Sequence, residues 1–358
     1  MKQIGGYFTI ESPLPEENHF LEGLCPKEGE LKYLMSGRCA NCLALKDNGI
    51  NDKKKVAYVP IYTCETVIAP FVKEGYSLIF YDFKKDMTPI FDPAVLDRIS
   101  IISICGYYGF SRYDRSFVDE CKRRGITVIE DTTHSIFSED GIYPGCDYVV
   151  GSLRKWIGVP AGGFAIKMKG KFLVSPEAIH AEHIKMRTDG LKELTRLASE
   201  PLTEEVMEKK AAASTLLWDS ELLLRKIFDS QESDELSINI IKHFDFDELK
   251  RRRRENYAYL LSHCPESDKF KVVFDELDEK TVPSHFTLYV NDRDSFKAFM
   301  EERGIHATTY WPVGPEVDLR GHDDAAYIYD HVISLSCDQR NTVEDMQYIC
   351  DALAEFIG

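Results

Sequence analysis

Short apolar runs alternate with amphipathic stretches from about residue 30 to residue 170. The apolar runs predict strands at 54–62, 77–83, 99–109, 126–135, 146–152 and 162–168, the last of them a return strand. The stretches between them predict helices at 65–75 and 116–125, each ended by a glycine, and a helix that begins at Ser36-Gly37 after a short strand or turn. Strands that alternate with helices in this way are typical of an α/β fold.

The predicted strands are apolar at nearly every position instead of at every second one. This pattern is expected when helices cover both faces of a sheet, and strands that are joined through helices run parallel. We therefore predict a mostly parallel central sheet in a large domain, residues 1–244. Helices at 246–264, 294–304 and 342–357 around a strand at 285–290 predict a smaller C-terminal α/β domain, residues 245–358.

The chain of 358 residues carries a formal net charge of -16. Nucleic acids and acidic membranes need a basic surface, so neither is an expected partner. The densest basic run, Lys250–Arg254, lies on a predicted helix and is interpreted as the solvated face of that helix. No apolar run is long enough to span a bilayer.

Ten cysteines are scattered along the chain without the spacing of a disulfide framework. Cys39 and Cys42 form a CxxC pair, but no second pair completes a metal site. Because the two lie in a helical segment, we interpret them as buried thiols and expect no metal. The expected location of the protein is a reducing cytoplasm.

Unusual residues follow several of the predicted strands. In an open parallel sheet, ligands bind outside the carboxyl ends of the strands. The groups at such ends are Ser36-Gly37-Arg38, residues 62–66, Asp131 with His134, and Ser152 with Lys155. Their common position predicts a single binding site at this edge of the sheet.

Each of these groups has two interpretations when it is taken alone. Asp131 is either a turn cap or a carboxylate that pairs with a heterocyclic cation. Ser152 and Lys155 form either a Ser-Lys hydrolase pair or a phosphate-binding hydroxyl beside a lysine that condenses with an aldehyde, its pKa lowered by Arg154 or by desolvation. Gly37 begins a helix whose N-terminus is either an anion site or an ordinary helix start.

Taken together, the groups predict one ligand that has an aldehyde, a ring nitrogen and a phosphate. Pyridoxal 5′-phosphate (PLP) has all three. The pair Gly162-Gly163 agrees with this hypothesis, because backbone without side chains lets a ligand approach closely.

The chain resembles the DegT/DnrJ/StrS family of sugar aminotransferases, which are fold-type I PLP-dependent enzymes. The segments "SGRCANCLAL", "IEDTTHS" and "GSLRKW…PAGG" are similar, in order and spacing, to motifs of that family. The resemblance implies that Lys155 is the Schiff-base lysine and moves the proton, and that Asp131 is the partner of the pyridine nitrogen. His134 then matches the Gln or His that contacts the ring or its phenolic oxygen. The implied phosphate ligands are Gly37, Ser152 and the backbone N–H of Arg38.

The chain also departs from the family pattern. Arg38 stands where the family has a threonine whose hydroxyl binds phosphate, and the position of the ring-stacking aromatic residue falls on Cys64, with Tyr62 nearby as a substitute. No clear copy is found of the segment whose asparagine reaches across the family's dimer. The resemblance nevertheless implies a homodimer.

The function that this resemblance implies is transfer of an amino group from a glutamate-like amino acid to the keto group of a nucleotide-linked sugar. A dehydratase branch of the family has a histidine in place of the lysine, so the presence of Lys155 favours amino transfer. Arg154, Tyr310 and Trp311 are the candidate substrate contacts. The alternatives are a different PLP reaction and a binding or regulatory protein without turnover.

Overall fold

The centre of the fold is an eight-stranded sheet, seen in a computed structural model that describes residues 3–358. Its strands are β1 (Glu30–Leu34), β2 (Val56–Pro60), β3 (Ser77–Phe83), β4 (Pro89–Ile90), β5 (Ile101–Cys105), β6 (Thr127–Asp131), β7 (Tyr148–Ser152) and β8 (Gly163–Lys167). They lie in the order β1-β8-β7-β6-β5-β2-β3-β4. The run from β3 to β7 is parallel, whereas β1, β4 and β8 pair antiparallel with their neighbours. The mostly parallel sheet and the return strand are confirmed.

Eleven α-helices surround the sheets within residues 3–358. They are α1 (Phe20–Leu24), α2 (Gly37–Gly49), α3 (Glu65–Lys73), α4 (Arg115–Arg123), α5 (Ala181–Ala198), α6 (Glu204–Ile227), α7 (Glu235–Lys242), α8 (Phe246–His263), α9 (Arg293–Glu302), α10 (Asp323–His331) and α11 (Val343–Ile357). Over that same range, none of them combines the length and the apolar character that crossing a membrane requires.

Both faces of the central sheet are buried, which explains the continuous apolar runs. Ile101 packs into the core beneath α2 and α3, while its neighbour Ile102 packs into the larger core on the opposite face. Val150 and Val149 divide between the two cores in the same way. Successive residues of a strand point to opposite faces, so a strand that is covered on both sides needs apolar residues throughout.

The C-terminal part of the chain contains a second, antiparallel sheet. Its strands are β9 (Phe270–Val272), β10 (Phe286–Val290) and β11 (Val332–Leu335), in the order β11-β10-β9. The sheet follows the predicted boundary at residue 245, and the division into two domains at that point stays a prediction. The larger core contains residues from both sides of the boundary, such as Val149 and Leu288.

The basic run Lys250–Arg254 on α8 is not only a solvated helix face, because one of its arginines is buried. The interpretation of the run as a solvated face was therefore partly wrong. Arg253 is 1% exposed, and its guanidinium lies 4.6 Å from the centre of the Trp156 ring. It donates to the carbonyl oxygens of Ser284 (2.8 Å) and Trp156 (3.4 Å). Gln339 donates to the same Trp156 carbonyl at 2.7 Å. The residue after Lys155 is therefore held by side chains from the C-terminal part.

Candidate active site

A cavity of about 880 Å³, counting space that is open to solvent, lies at the carboxyl ends of β2, β5, β6 and β7. It brings together most of the predicted site residues. Those that line it are Gly37, Arg38, Cys64, Asp131, His134, Ser152, Arg154, Lys155 and Trp311. The parallel register explains the convergence, because Cys105 pairs with Asp131 and Asp131 with Val150.

One end of the cavity, which we call the α2 end, is formed by Gly37, Arg38 and Ser152. Ser36 caps α2 by accepting a hydrogen bond from the Cys39 N–H at 3.2 Å. The first N–H groups of a helix have no acceptor within the helix, so those of Gly37 and Arg38 are available to an anion. A Cβ on Gly37 would lie 3.2 Å from the Ser152 Cβ, which places the helix start directly against Ser152.

The two glycines after Lys155 accommodate protein backbone instead of a ligand. A Cβ on Gly163 would lie 2.2 Å from the Ser36 carbonyl oxygen, and one on Gly162 would lie 2.9 Å from the Arg154 nitrogen. A close approach therefore exists at both glycines, but the neighbour is the turn that leads into α2 at Gly163 and Arg154 at Gly162, and the predicted approach of a ligand is not what these glycines accommodate. Gly163 lets that turn pack against β8, and this contact fixes the position of the α2 end.

The opposite end, which we call the β6 end, is formed by Asp131 and His134. Asp131 is buried and accepts hydrogen bonds from the Thr133 N–H (3.0 Å) and the Asn41 amide (3.4 Å). Within residues 3–358 it has no cation as a partner, and burial raises the pKa of its carboxyl group. A buried carboxylate without a cation is costly. The structure therefore leaves Asp131 able to accept a further, positively charged donor.

His134 is 4% exposed, and neither of its ring nitrogens has a hydrogen-bond partner in the described part of the chain. Burial, and then the charge of Lys155, lower the pKa of the imidazole to about 3. The ring is therefore neutral at physiological pH and has one donor and one acceptor to offer. Its centre lies 5.4 Å from that of Trp311, which forms a half-buried wall of the cavity.

Lys155 ends a short 3-10 turn, Leu153–Lys155, that follows β7. Its side chain is exposed, but to the space of the cavity, and the surrounding protein desolvates the amine. This desolvation is the largest cause of a lowered pKa; Cys64 and Glu221 oppose it, and Arg154 and Arg187 add to it. A lowered pKa provides the neutral amine that a nucleophilic lysine needs.

Two of the predicted site residues lie outside the cavity lining. Tyr62 is fully buried, shares a hydrogen bond of 2.9 Å with the Tyr108 hydroxyl and donates to the Tyr310 carbonyl oxygen. It is therefore not an available substitute for a stacking ring, and that expectation was wrong. Tyr310 is half-buried; its hydroxyl pairs with His285 Nε2 at 3.2 Å, and its ring centre is 5.7 Å from the Lys155 amine.

Sequence reasoning missed Asn41 and Glu221, which also line the cavity. Asn41 is one helical turn after Gly37 on α2, so its spacing was a usable signal. Glu221 lies on α6, far from any motif, and no local signal marks it. It accepts hydrogen bonds from Arg154 and Arg187, both at 2.6 Å.

The alternative interpretation of Ser152 and Lys155 as a Ser-Lys hydrolase pair lacks its essential contact. A nucleophile and its base must lie within hydrogen-bond reach of each other. Among the described residues, no hydrogen bond joins Ser152 and Lys155, and Ser152 lies at the α2 end beside Gly37. This geometry favours the interpretation of Ser152 as an anion ligand.

No protein-family model and no curated protein sequence matches the chain. Solved structures match it over nearly its whole length. DesV from S. venezuelae, in complex with a ketimine intermediate, is 18% identical with a TM-score of 0.66, and the match covers 99% of this chain and 91% of that one. Helicobacter pylori PseC, an aminotransferase involved in the biosynthesis of pseudoaminic acid, is 14% identical with a TM-score of 0.64 and 99% coverage of both chains.

A DegT DnrJ EryC1 StrS aminotransferase from Brucella abortus is also similar to this chain. It is 15% identical with a TM-score of 0.58, and the match covers 98% of this chain and 92% of that one. These matches confirm the predicted fold class: the chain has the fold-type I architecture of these proteins.

Proposed function

We propose that the protein is a PLP-dependent aminotransferase that acts on a sugar. One observation carries this proposal: a single cavity contains a desolvated lysine, a buried carboxylate without a cation, and a helix start that is free to bind an anion. These are the partners that the aldehyde, the ring nitrogen and the phosphate of PLP require. The fold shared with several aminotransferase structures supports it.

The polar groups of the cavity are of the chemical types that can bind the functional groups of PLP. Asp131 would accept the ring N–H and gain the cation that it lacks, which would hold the pKa of its carboxyl group down. His134 has a free donor for the phenolic oxygen. Gly37, Ser152 and the backbone of Arg38 would hold the phosphate at the α2 end. Lys155 would hold the aldehyde carbon covalently.

When bound, PLP supplies an electron-withdrawing ring that stabilises negative charge at the carbon next to the amino group. The chain supplies the rest of the chemistry. Asp131 would keep the ring nitrogen protonated, and Lys155 would take a proton from the substrate carbon and return it to the cofactor side. Trp311 would exclude water from one wall of the cavity.

The finer part of the proposal concerns the substrates and the assembly. We infer a glutamate-like amino donor and an acceptor that is a nucleotide-linked ketosugar. The structure of CalS13 from Micromonospora echinospora, described as a sugar aminotransferase, is also similar to this chain (14% identical, TM-score 0.62) and supports a sugar as the acceptor. Tyr310, Trp311 and Arg154 would contact the acceptor. A homodimer is part of the same proposal and rests on the family resemblance.

The cofactor proposal is tested by reduction. Protein loaded with PLP should absorb visible light, and borohydride should fix a pyridoxyl group on Lys155, as located by peptide mass spectrometry. Attachment to Lys167, which is 2.6 Å from Asp47 and serves as an internal control, would contradict the assignment. A fixed group without any conversion by amino acids would support the alternative of a protein without turnover.

The acceptor proposal is tested with a panel of keto compounds. The pyridoxamine form is loaded first, and its reoxidation is followed by absorbance. Nucleotide-linked ketosugars should react much faster than small keto acids, because binding energy from the remote nucleotide lowers the barrier. If free keto acids react as fast as nucleotide-linked ketosugars, the proposed sugar acceptor is wrong, whereas the proposal that PLP is the cofactor stands.

A further inference from the structure

The Arg38 side chain is a buried cation without a counter-charge. It is 5% exposed, and its Nε and Nη1 have no hydrogen-bond partner in the described residues. Its guanidinium lies 4.9 Å from the centre of the Phe228 ring, and no carboxylate in residues 3–358 lies within ion-pair distance of it. Burying a charge in this way is costly unless a partner compensates it.

The neighbouring carboxylates already have partners. Glu221 is held by Arg154 and Arg187 at 2.6 Å each, and Glu65 lies 3.8 Å from Arg225. The pKa of Glu221 is lowered to about 2, with the two arginines as the cause that overcomes burial, so it is ionised. In the described range 3–358, both acidic side chains near Arg38 are therefore already paired with other arginines.

A charge count shows what is missing at this end of the cavity. The Glu65–Arg225 pair near Arg38 cancels. Arg38, Arg154 and Arg187, the last of them behind the cavity lining, carry three positive charges and Glu221 carries one negative charge, which leaves a surplus of two in this group. A phosphate monoester carries about −1.5 to −2 at neutral pH. The surplus therefore matches one phosphate dianion, in a chain whose net charge is -16.

The position of Arg38 agrees with that ligand. It is the second residue of α2, it lines the same cavity as Ser152, and it directly follows Gly37, whose position lies against Ser152. Guanidinium groups form strong, geometrically specific hydrogen bonds with phosphate. Arg187 is directed to Glu221 and acts through the local field, whereas Arg154 pairs with Glu221 through Nη2 and keeps an Nη1 without a hydrogen-bond partner in residues 3–358.

We propose that the side chain of Arg38, and not only its backbone, binds the phosphate group of the cofactor. This inference rests on the proposed function, because PLP is the phosphate monoester that it names. The α2 end then binds phosphate through a guanidinium from the same chain, in addition to a helix start and a hydroxyl.

The test compares PLP with pyridoxal, which lacks the phosphate. Dissociation constants are measured by absorbance for the wild type, Arg38→Met and the control Arg251→Met, whose arginine is exposed on α8 and pairs with Glu248 and Glu255. Arg38→Met should weaken PLP binding by about 10- to 100-fold, while pyridoxal binding should not change. Arg251→Met should change neither.

A second measurement uses the protein without cofactor. Inorganic phosphate should raise the melting temperature of the wild type but not that of Arg38→Met, and the variant alone should be at least as stable as the wild type. An equal loss for PLP and pyridoxal, no loss, or a change only in the KM of the amino donor would overturn the role of Arg38. Wild-type protein that binds neither PLP nor phosphate would overturn the proposed function as well.

Discussion

The α2 end and the β6 end of the cavity differ in the charged groups that they contain. The α2 end contains the buried Arg38, which has no ion-pair partner in residues 3–358, and the nearby group of Arg154, Arg187 and Glu221 adds to its positive surplus. The β6 end has a carboxylate without a cation, a neutral imidazole and aromatic walls. A permanent surplus of positive charge suits tight binding of an anion, whereas the groups of the β6 end would contact the ring nitrogen and phenolic oxygen of PLP, on which proton transfer at the substrate depends. We infer that the first end sets affinity and the second sets rate.

The largest expected effect comes from Lys155→Ala. Loss of the amine should slow the half-reaction with an amino acid by about 10⁴-fold, because it removes the group that moves the proton. PLP affinity should fall far less, since the α2 end still holds the phosphate. Stopped-flow absorbance measures the rate and titration measures the affinity. A fall in affinity as large as the fall in rate would erase the distinction between the two ends.

Asp131→Asn should give the next largest effect. The neutral amide cannot stabilise a protonated ring nitrogen, so we expect a rate loss of about 10² to 10³-fold, the size typical of losing one electrostatic stabiliser. PLP should still bind with nearly unchanged affinity. A near-normal half-reaction rate in this variant would show that Asp131 only caps the turn after β6.

The β6 end should also affect stability in acid. The pKa of His134 is lowered to about 3, and so is that of His183, a buried residue of α5 that is not part of the β6 end. At these two rings the folded protein therefore does not bind protons that the unfolded chain binds below pH 6.5. Stability conferred by the neutral rings is present above that value and is lost as the pH falls towards 3. Each ring contributes a slope of up to about 1.4 kcal/mol per pH unit.

In His134→Gln, the free energy of unfolding should therefore decrease less steeply between pH 6.5 and 3, and PLP should still bind. Urea unfolding at several pH values without cofactor measures the slope. His19→Gln, at an exposed position, is the matched control for the loss of one histidine. An unchanged slope in His134→Gln would mean that the imidazole takes up its proton in the folded state.

The smallest effect is expected from Cys64→Phe. Cys64 lines the cavity where a stacking ring is absent, and Tyr62 is too deeply buried to replace it. An added ring should tighten the binding of PLP and of pyridoxal equally, by about 2- to 10-fold, because stacking contributes roughly 0.5–1.5 kcal/mol. A gain for PLP alone would indicate that the change acts through the α2 end.

The sequence predicted the long strands because each is buried on both faces and is therefore apolar throughout. It did not predict β4, β9 and β11, which have between two and four residues and show no periodicity. The sheet order was also beyond reach, since strand neighbours depend on packing between distant segments.

The candidate site could be predicted in part for the same reason. Asp131, Ser152 and Lys155 directly follow or end buried strands, so their positions come from the fold pattern. Glu221 has no such marker, because its role depends on Arg154 and Arg187 meeting it from other elements. In the sequence, Arg38 stood out only because it replaces a threonine of the family. That its Nε and Nη1 have no hydrogen-bond partner in residues 3–358 could be seen only in the structure.

The contacts around Trp156 have a consequence for recombination. The carbonyl oxygen of this residue is bound by Arg253 and Gln339, and its ring lies under the Arg253 guanidinium. The loop that carries the lysine is therefore assembled from both halves of the chain. A chimera that takes residues 245–358 from a relative should keep an ordered lysine only if the matching arginine and glutamine are inherited together with the tryptophan. The contacts of Trp156, Arg253 and Gln339 therefore require that these three residues be kept together in any functional chimera.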